Sequence, residues 1–142
     1  MSHQAVLIAD DEEAIGFALA REVRRHGLVP LVAADGRSAV ALVSSAGEAL
    51  IAGILDVRMP HLDGVAAAQA VLEVRPGTPL ALMTAFDEVR LPESLGSVIR
   101  VFPKPFALGT FAEWLASVRA EPATSRVAAP AFIENTPRAR AG

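Results

Sequence analysis

The chain has 142 residues, of which 52% are hydrophobic, a mean hydropathy of +0.39 and a formal net charge of −3, which together predict one domain with a sizeable core. No apolar run approaches the ~18 residues of a membrane span, and the N-terminus lacks the basic start of a signal peptide. Cysteine is absent, which excludes disulfides and thiolate metal sites, and the weakly acidic balance disfavours a nucleic-acid binder, so we expect a cytoplasmic protein that contacts neither nucleic acid nor membrane directly.

Short apolar runs alternate along the chain with longer amphipathic ones. Ile15, Leu19 and Val23 have helical spacing, whereas residues 5–9 form a continuous apolar run typical of a buried strand. By the same criteria we predict strands over 5–9, 28–33, 50–55, 78–83 and 98–102, and helices over 12–26, 36–47, 64–74, 87–96 and 106–120.

Prolines and apolar spacing refine these elements. Pro30 cannot donate to a strand ladder, so we place the second strand at or near a sheet edge. Pro92 and Gly96 predict that the fourth helix is short or broken. The last helix has one apolar face, made of Leu108, Phe111, Leu115 and Val118, whereas Trp114 lies off that face. We expect Trp114 either to be exposed, as part of a partner or dimer surface, or to be partly buried beside the C-terminal residues.

Five β/α units in series define the expected architecture. Continuous apolar strands separated by helices predict a parallel sheet that is covered on both faces. Right-handed crossovers then give an open, doubly wound α/β sheet. In such folds the functional crevice lies beyond the carboxyl ends of the strands, so the residues after each strand are the candidates for a site.

Polar side chains follow four of the five predicted strands. Carboxylates that converge on one edge repel each other and favour a cation, and an all-oxygen site with open positions suits Mg²⁺. A hydroxyl and an ammonium group suit the oxygens of a phosphoryl group, and a carboxylate can itself be the nucleophile that forms an aspartyl-phosphate. We predict that Asp56 is phosphorylated, within a set comprising Asp10, Asp11, Glu12, Asp56, Thr84 and Lys104.

Each of these residues also has a purely structural interpretation. The acids after the first strand are suited to cap the following helix, and Asp56 alone is typical of a turn. Thr84 alone is typical of a cap or a solvated hydroxyl, and the proline after Lys104 is typical of a helix start. The functional interpretation depends on all four positions sharing one edge of one sheet.

The segments "VLIADDEEAI", "GILDVRMPHLDG", "LALMTA" and "VFPKPF" resemble the signatures of the receiver domain of two-component response regulators. The resemblance covers about residues 4–120. It implies a flavodoxin-like fold with strand order 2-1-3-4-5, a receiver domain over 1–120, and a single-domain regulator whose residues 121–142 form a flexible tail without an output domain.

The resemblance also implies a role for each residue of the set. Asp56 is then the phosphoacceptor for a histidine kinase or a histidine phosphotransfer protein, and the chain is a phosphoprotein rather than an enzyme, with slow self-phosphorylation from small donors and slow self-dephosphorylation. Phosphorylation then changes the binding of an unidentified downstream protein through the loops after strands four and five. Mg²⁺ is then bound by Asp10, Asp11, Asp56 and the backbone carbonyl of Arg58. Thr84 and Lys104 contact the phosphoryl group, and the Lys104-Pro105 bond is cis.

One strand position departs from the family pattern. Val101 stands where the family often has a switching aromatic residue, and the neighbouring Phe102 points to the opposite face of the strand. We therefore expect the usual coupling between Thr84 and an aromatic ring to be absent or altered. Phe86, two residues after Thr84, is predicted to restrict the attacking water and so prolong phosphorylation. The segment 84–96 is predicted to be the element that switches.

Three other functions compete with phosphorylation as interpretations of the sequence. A pseudo-receiver that serves only as a protein-interaction module remains an alternative, although the complete acid, hydroxyl and amine set favours phosphorylation. A haloacid-type phosphatase expects an acid two residues after its nucleophile, where this chain has Arg58. A flavin-binding protein needs a phosphate loop after the first strand, where Asp10 and Asp11 would repel a phosphate. In the tail, Ala131-Phe132-Ile133 is a candidate docking segment.

Overall fold

The computed structural model describes residues 3–85 and 99–120. Within them lie five strands, four α-helices and one 3₁₀ helix, Gly47–Ala49. The strands are β1 (Ala5–Ala9), β2 (Val29–Ala33), β3 (Leu50–Asp56), β4 (Leu80–Thr84) and β5 (Ile99–Pro103). The helices are α1 (Glu13–Arg25), α2 (Gly36–Ala46), α3 (Gly64–Val74) and α4 (Leu108–Ala120).

Some predictions concern residues outside the described part of the chain. The helix expected over 87–96, the effect of Phe86 and most of the segment 84–96 are among them. The tail over 121–142, with its candidate docking segment, is also outside.

The strands form one parallel sheet in the order β2-β1-β3-β4-β5. This is the doubly wound, flavodoxin-like arrangement that the sequence and the family resemblance predicted. β2 lies at one edge, as Pro30 predicted, with Pro30 opposite Val6. None of the helices in the described segments is long and apolar enough to cross a membrane.

The two faces of the sheet carry separate cores, because alternate residues of each buried strand point to opposite sides. On one face, Ile8, Ile54 and Met83 pack with residues of α1 and α4. On the other face, Leu7 and Leu55 pack with residues of α2 and α3. Each face therefore has its own core, and the buried polar residues of the described segments lie at or near strand ends: Asp10, Asp56, Thr78 and Thr84.

The last helix corrects two details of the sequence analysis. Trp114 is 7% exposed and packs in the core, with its ring edge-on to Phe102 at 5.9 Å between centroids. The interpretation of Trp114 as an exposed partner surface is therefore wrong. Leu108, which was assigned to the apolar face, is exposed because it is the first residue of α4 and precedes the turns that face the sheet. The buried face is Phe111, Trp114, Leu115 and Val118.

Candidate functional site

The carboxyl edge of the sheet is held together by backbone hydrogen bonds between neighbouring strand ends. Each bond runs from the backbone N–H of the residue just after one strand to a backbone carbonyl in the last two residues of the neighbouring strand. They are Asp10 N to Ala33 O at 3.0 Å, Val57 N to Met83 O at 2.9 Å, and Lys104 N to Thr84 O at 2.7 Å. The positions that carry the predicted side chains are thus fixed relative to one another.

Three carboxylates meet at this edge. One oxygen from each of Asp10, Asp11 and Asp56 lies within 4.8 Å of the other two. Asp10 and Asp56 are buried at 3% and 7% exposure, whereas Asp11 is exposed. The structure therefore brings together the three acids that the sequence analysis selected, although they come from two strands that are far apart in sequence.

Lys104 reaches the same cluster from the turn after β5. Its Nζ lies 3.3 Å from Asp10 Oδ2 and 3.4 Å from Asp56 Oδ1. It also lies 3.3 Å from Glu12 Oε1, a partner that the sequence analysis did not assign to it. The only sequence signal for this contact is the position of Glu12 directly after the two acids. The Lys104-Pro105 peptide bond is cis, as predicted.

The electrostatics of the cluster show an excess of negative charge. Burial raises the pKa of Asp56, the Asp10 carboxylate raises it further, and Lys104 offsets only part of this effect. Burial lowers the pKa of Lys104, but the Asp10 and Asp56 carboxylates outweigh burial and leave the pKa above its usual value. Lys104 is thus held as a cation, while the acids around it lack full compensation.

The capping interpretation of the first acids is only partly correct. Glu12 occupies the N-cap position of α1 but makes no side-chain capping bond. Asp10 Oδ1 accepts a hydrogen bond from the Glu12 backbone N–H at 2.8 Å. This bond orients one Asp10 oxygen along the loop and leaves the other for Lys104.

The loop that follows Asp56 is packed against the backbone of β3. Asp63 caps α3 by accepting from Ala66 N at 2.9 Å, and Gly64 N donates to Val57 O at 2.8 Å. A Cβ atom at Gly64 would collide with the backbone carbonyl of Asp56, so only glycine fits there. The sequence analysis recognised the turn but not this requirement, which fixes the backbone that carries Asp56.

Thr84 and Arg58 lie at the same edge. Thr84 is the last residue of β4, is 4% exposed, and accepts the Lys104 N–H through its carbonyl. Its burial does not fit the solvated hydroxyl considered above. Arg58 is exposed and helps to line a depression beside the acids, together with Asp11, Val57, Met59, Pro60 and Asp63.

Val101 and Phe102, the two neighbouring residues of β5 where the sequence departs from the family pattern, point in opposite directions. The β4–β5 register is regular and pairs Leu82 with Val101 and Met83 with Phe102. Val101 is exposed, whereas Phe102 is buried, and the Arg100 guanidinium lies 5.0 Å from its ring centroid. The aromatic side chain of β5 is thus committed to the core between α1 and α4.

The side chains present fit a magnesium ion. The donor set consists of oxygens only, as Mg²⁺ prefers, and two of its three carboxylates, those of Asp10 and Asp56, share the ammonium group of Lys104. Burial, and after it the Asp10 carboxylate, raise the pKa of Asp56, and a bound cation would favour the charged form of this carboxyl group. The cluster is also open to solvent on the side of Asp11, which leaves room for metal-bound water.

An apolar surface adjoins the acids. Phe17 in α1 is 68% exposed and Val32 in β2 is 49% exposed. Both line a groove between α1 and β2 that runs from Arg24 to Asp10 and Asp11. Contiguous exposed apolar side chains, rather than single ones, indicate interaction surfaces, and Phe17 and Val32 share this groove.

A flavodoxin-like sheet with three acids and a lysine at its carboxyl edge offers oxygen ligands that suit a divalent cation and an ammonium group that suits an anion. The sequence pattern of the response regulator receiver domain matches residues 6–112. The chain therefore belongs to the receiver domain family of two-component response regulators. Receiver domains are in general phosphoacceptors rather than conventional enzymes, bind Mg²⁺ in an acidic pocket, and interact with histidine kinases or phosphotransfer proteins.

Curated relatives agree with this assignment. Response regulator MprA from Mycolicibacterium vanbaalenii is 34% identical over 117 residues, which cover 81% of this chain and 48% of the relative. MprA from Mycobacterium ulcerans is 32% identical over the same length. The chain thus spans about half the length of the curated relatives it matches.

Solved structures show the same fold. The chemotaxis response regulator CheY4 of Vibrio cholerae is 26% identical, with a TM-score of 0.71 over 82% of this chain and 99% of that one. The receiver domain of the hybrid histidine kinase CckA is 24% identical, with a TM-score of 0.69 over 80% of this chain and 97% of that one.

Proposed function

We propose that Asp56 accepts a phosphoryl group from the phosphohistidine of a histidine kinase or a histidine phosphotransfer protein. The observation that carries this proposal is the meeting of Asp10, Asp11, Asp56 and Lys104 at one edge of the sheet. A structural aspartate would not need two further acids and an amine around it. We also propose that the protein acts in the cytoplasm.

The transfer is an in-line displacement at phosphorus. An Asp56 carboxylate oxygen forms the new P–O bond as the P–N bond to the donor histidine breaks, and the imidazole leaves with the bonding electron pair. Asp10, Asp11, Asp56 and the Arg58 carbonyl would hold Mg²⁺, which would neutralise charge on the phosphoryl oxygens. Lys104 pairs with one of these oxygens, and the Thr84 hydroxyl donates to another.

The added charge of about −1.5 to −2 is the signal. It acts beside Thr84 and Lys104, which begin the loops after β4 and β5, and we propose that these loops change the binding of a downstream protein. The phosphoaccepting unit is residues 1–120. Neither nucleic acid nor a membrane is needed for this activity.

The test is phosphotransfer from a panel of candidate kinases and phosphotransfer proteins to the wild type and Asp56→Asn. We expect Mg²⁺-dependent labelling of the wild type by at least one donor, and no labelling of Asp56→Asn. An acyl phosphate is confirmed by its loss in hydroxylamine. Asp63→Asn is the matched control, because Asp63 lies in the same loop but caps α3, and it should still be labelled.

Two outcomes oppose the proposal. Equal labelling of Asp56→Asn would assign the phosphate to another residue. Failure of the wild type with every donor and with acetyl phosphate, at saturating Mg²⁺, would favour the pseudo-receiver alternative, in which the domain serves only for protein contacts.

A further inference from the structure

The side chain of Glu12 has a position that the helix does not explain. Glu12 is the N-cap residue of α1, where Ser, Thr, Asp or Asn usually bonds the first free N–H groups. Its carboxylate makes no such bond and instead lies 3.3 Å from Lys104 Nζ. Although 63% of this side chain is exposed, it is directed toward the site.

Lys104 is shared among three acids, because its Nζ donates hydrogen bonds to Asp10 and Glu12 and forms an ion pair with Asp56. An ammonium group has three N–H donors, and three carboxylates, those of Asp10, Glu12 and Asp56, lie within 3.4 Å of Nζ. If a phosphoryl group on Asp56 is to receive a hydrogen bond from Lys104, one of these contacts has to be released.

The burial of the partners identifies the one that is released. The Asp10 side chain is fully buried, so loss of its cation would leave an uncompensated charge inside the protein. Asp56 carries the incoming group itself. Glu12 is mostly in water, so its carboxylate is solvated as soon as it leaves Lys104, at little cost.

We propose, on the basis of the function proposed above, that Glu12 is a positioning residue that holds Lys104 in the unphosphorylated protein and is exchanged for a phosphoryl oxygen when Asp56 is phosphorylated. Glu12 thereby biases the domain toward its unphosphorylated state. Removing its charge releases Lys104 and favours the phosphorylated form.

The test compares Glu12→Gln with Glu13→Gln. Both variants remove one negative charge from adjacent exposed positions. Of these two glutamates, Glu12 is the one for which the described residues show a contact with Lys104. Binding of beryllofluoride with Mg²⁺, followed by amide NMR, reports the phosphorylated-like state. We expect Glu12→Gln to bind about two- to fivefold more tightly than the wild type, the range of an exposed ion pair, and Glu13→Gln to change by clearly less.

Equal effects of the two variants would show a general charge effect and overturn the proposal, as would unchanged or weaker binding by Glu12→Gln. Absence of beryllofluoride binding by the wild type would instead overturn the proposed function, and the exchange with it.

A second measurement does not depend on phosphorylation. A double-mutant cycle of Glu12→Gln with Lys104→Met, read from urea unfolding, isolates the contact between the two side chains. We expect a coupling of about two- to fivefold in the unfolding equilibrium constant, and none in the cycle with Glu13→Gln. No coupling for Glu12 would show that it does not hold Lys104, whatever the phosphorylation result.

Discussion

The charge on the Asp56 carboxylate is opposed by its surroundings. Burial and the Asp10 carboxylate raise its pKa. The Lys104 ammonium group offsets part of this rise, but it also contacts two other acids. In the metal-free protein this arrangement lowers stability, because it keeps together groups that separate on unfolding. The same unbalanced charge favours binding of a cation, so the site trades stability for function.

Asp56→Asn is therefore expected to stabilise the metal-free protein at pH 7. The gain arises because burial and the Asp10 carboxylate oppose the charged form of Asp56 more than Lys104 favours it. Urea unfolding in EDTA measures the gain. Glu73→Gln, an exposed acid on α3, is the control and should have little effect.

The gain depends on pH in a defined direction. The folded-state pKa of Asp56 lies above 3.8, the ordinary value of an aspartate side chain, so its ionisation destabilises the fold at high pH. The difference between Asp56→Asn and the wild type is fully present above the folded-state pKa and disappears as the pH falls through that pKa toward 3.8. A difference that grows with acidification would contradict this assignment.

At the scale of single residues, the sequence predicted the side chains whose chemistry is unusual at a strand end. Asp10, Asp11, Asp56 and Lys104 lie where the alternation of strands and helices placed them. The contact between Glu12 and Lys104 was not predictable, because it depends on a side-chain direction that local sequence does not specify.

Among the elements, the turn from β3 to α3 is the one that the site constrains most. Gly64→Ala is expected to destabilise the protein by about 1–3 kcal/mol, the usual cost of overpacking, because the new Cβ meets the Asp56 carbonyl. Gly109→Ala is the matched control, since no atom lies within 4 Å of a Cβ at that position in α4. Thermal or urea unfolding compares the two, and similar losses would contradict the close approach at Gly64.

The first helix presents Phe17 beside the acids, and we expect this ring to contact the phosphodonor protein. Phe17→Ser should slow phosphotransfer from a partner found in the panel by about tenfold, as for a moderate interface hot spot. Phosphorylation by acetyl phosphate should stay unchanged, because Phe17 touches no residue of the acid cluster in the contacts described.

Val74→Ser is the control for this prediction. Val74 is 42% exposed at the C-terminal end of α3, far along the chain from the acids. A loss of transfer in both variants, or an equal loss with acetyl phosphate, would show that Phe17 does not act through the partner.

Element types were predictable and element ends less so. Periodicity gave the strands and helices, with limits within two residues of those observed in the described segments. The largest differences are at β4, which begins at Leu80 rather than 78, and at α4, which begins at Leu108 rather than 106 and also buries Trp114. Helical spacing alone did not reveal that Phe102 on β5 supplies a partner for the indole ring.

For the whole molecule, the prediction concerns metal binding and global stability. Mg²⁺ at one hundred times its dissociation constant should stabilise the fold by about 2.7 kcal/mol through mass action. Trp114, the single tryptophan and a core residue, reports unfolding in urea with and without EDTA. Asp11→Asn should lose most of the gain, and Glu13→Gln should keep it. An equal gain in Asp11→Asn would remove Asp11 from the metal site.

The global architecture follows from the sequence because its parts agree. Continuous apolar strands require cover on both faces, and right-handed crossovers leave few ways to provide it. The strand order itself came from the family resemblance, since five β/α units alone are compatible with other orders. The observed order β2-β1-β3-β4-β5 brings the ends of β1 and β3 side by side, which is what joins the acids.

Pro30 has a consequence for how copies of this protein behave at high concentration. It lies within the outermost strand β2, and a proline inside such a strand is tolerated where its nitrogen faces water. The β2 edge of the sheet therefore lacks one backbone N–H donor. A strand from another molecule that tried to extend the sheet would meet this gap, which protects the folded protein against edge-to-edge aggregation.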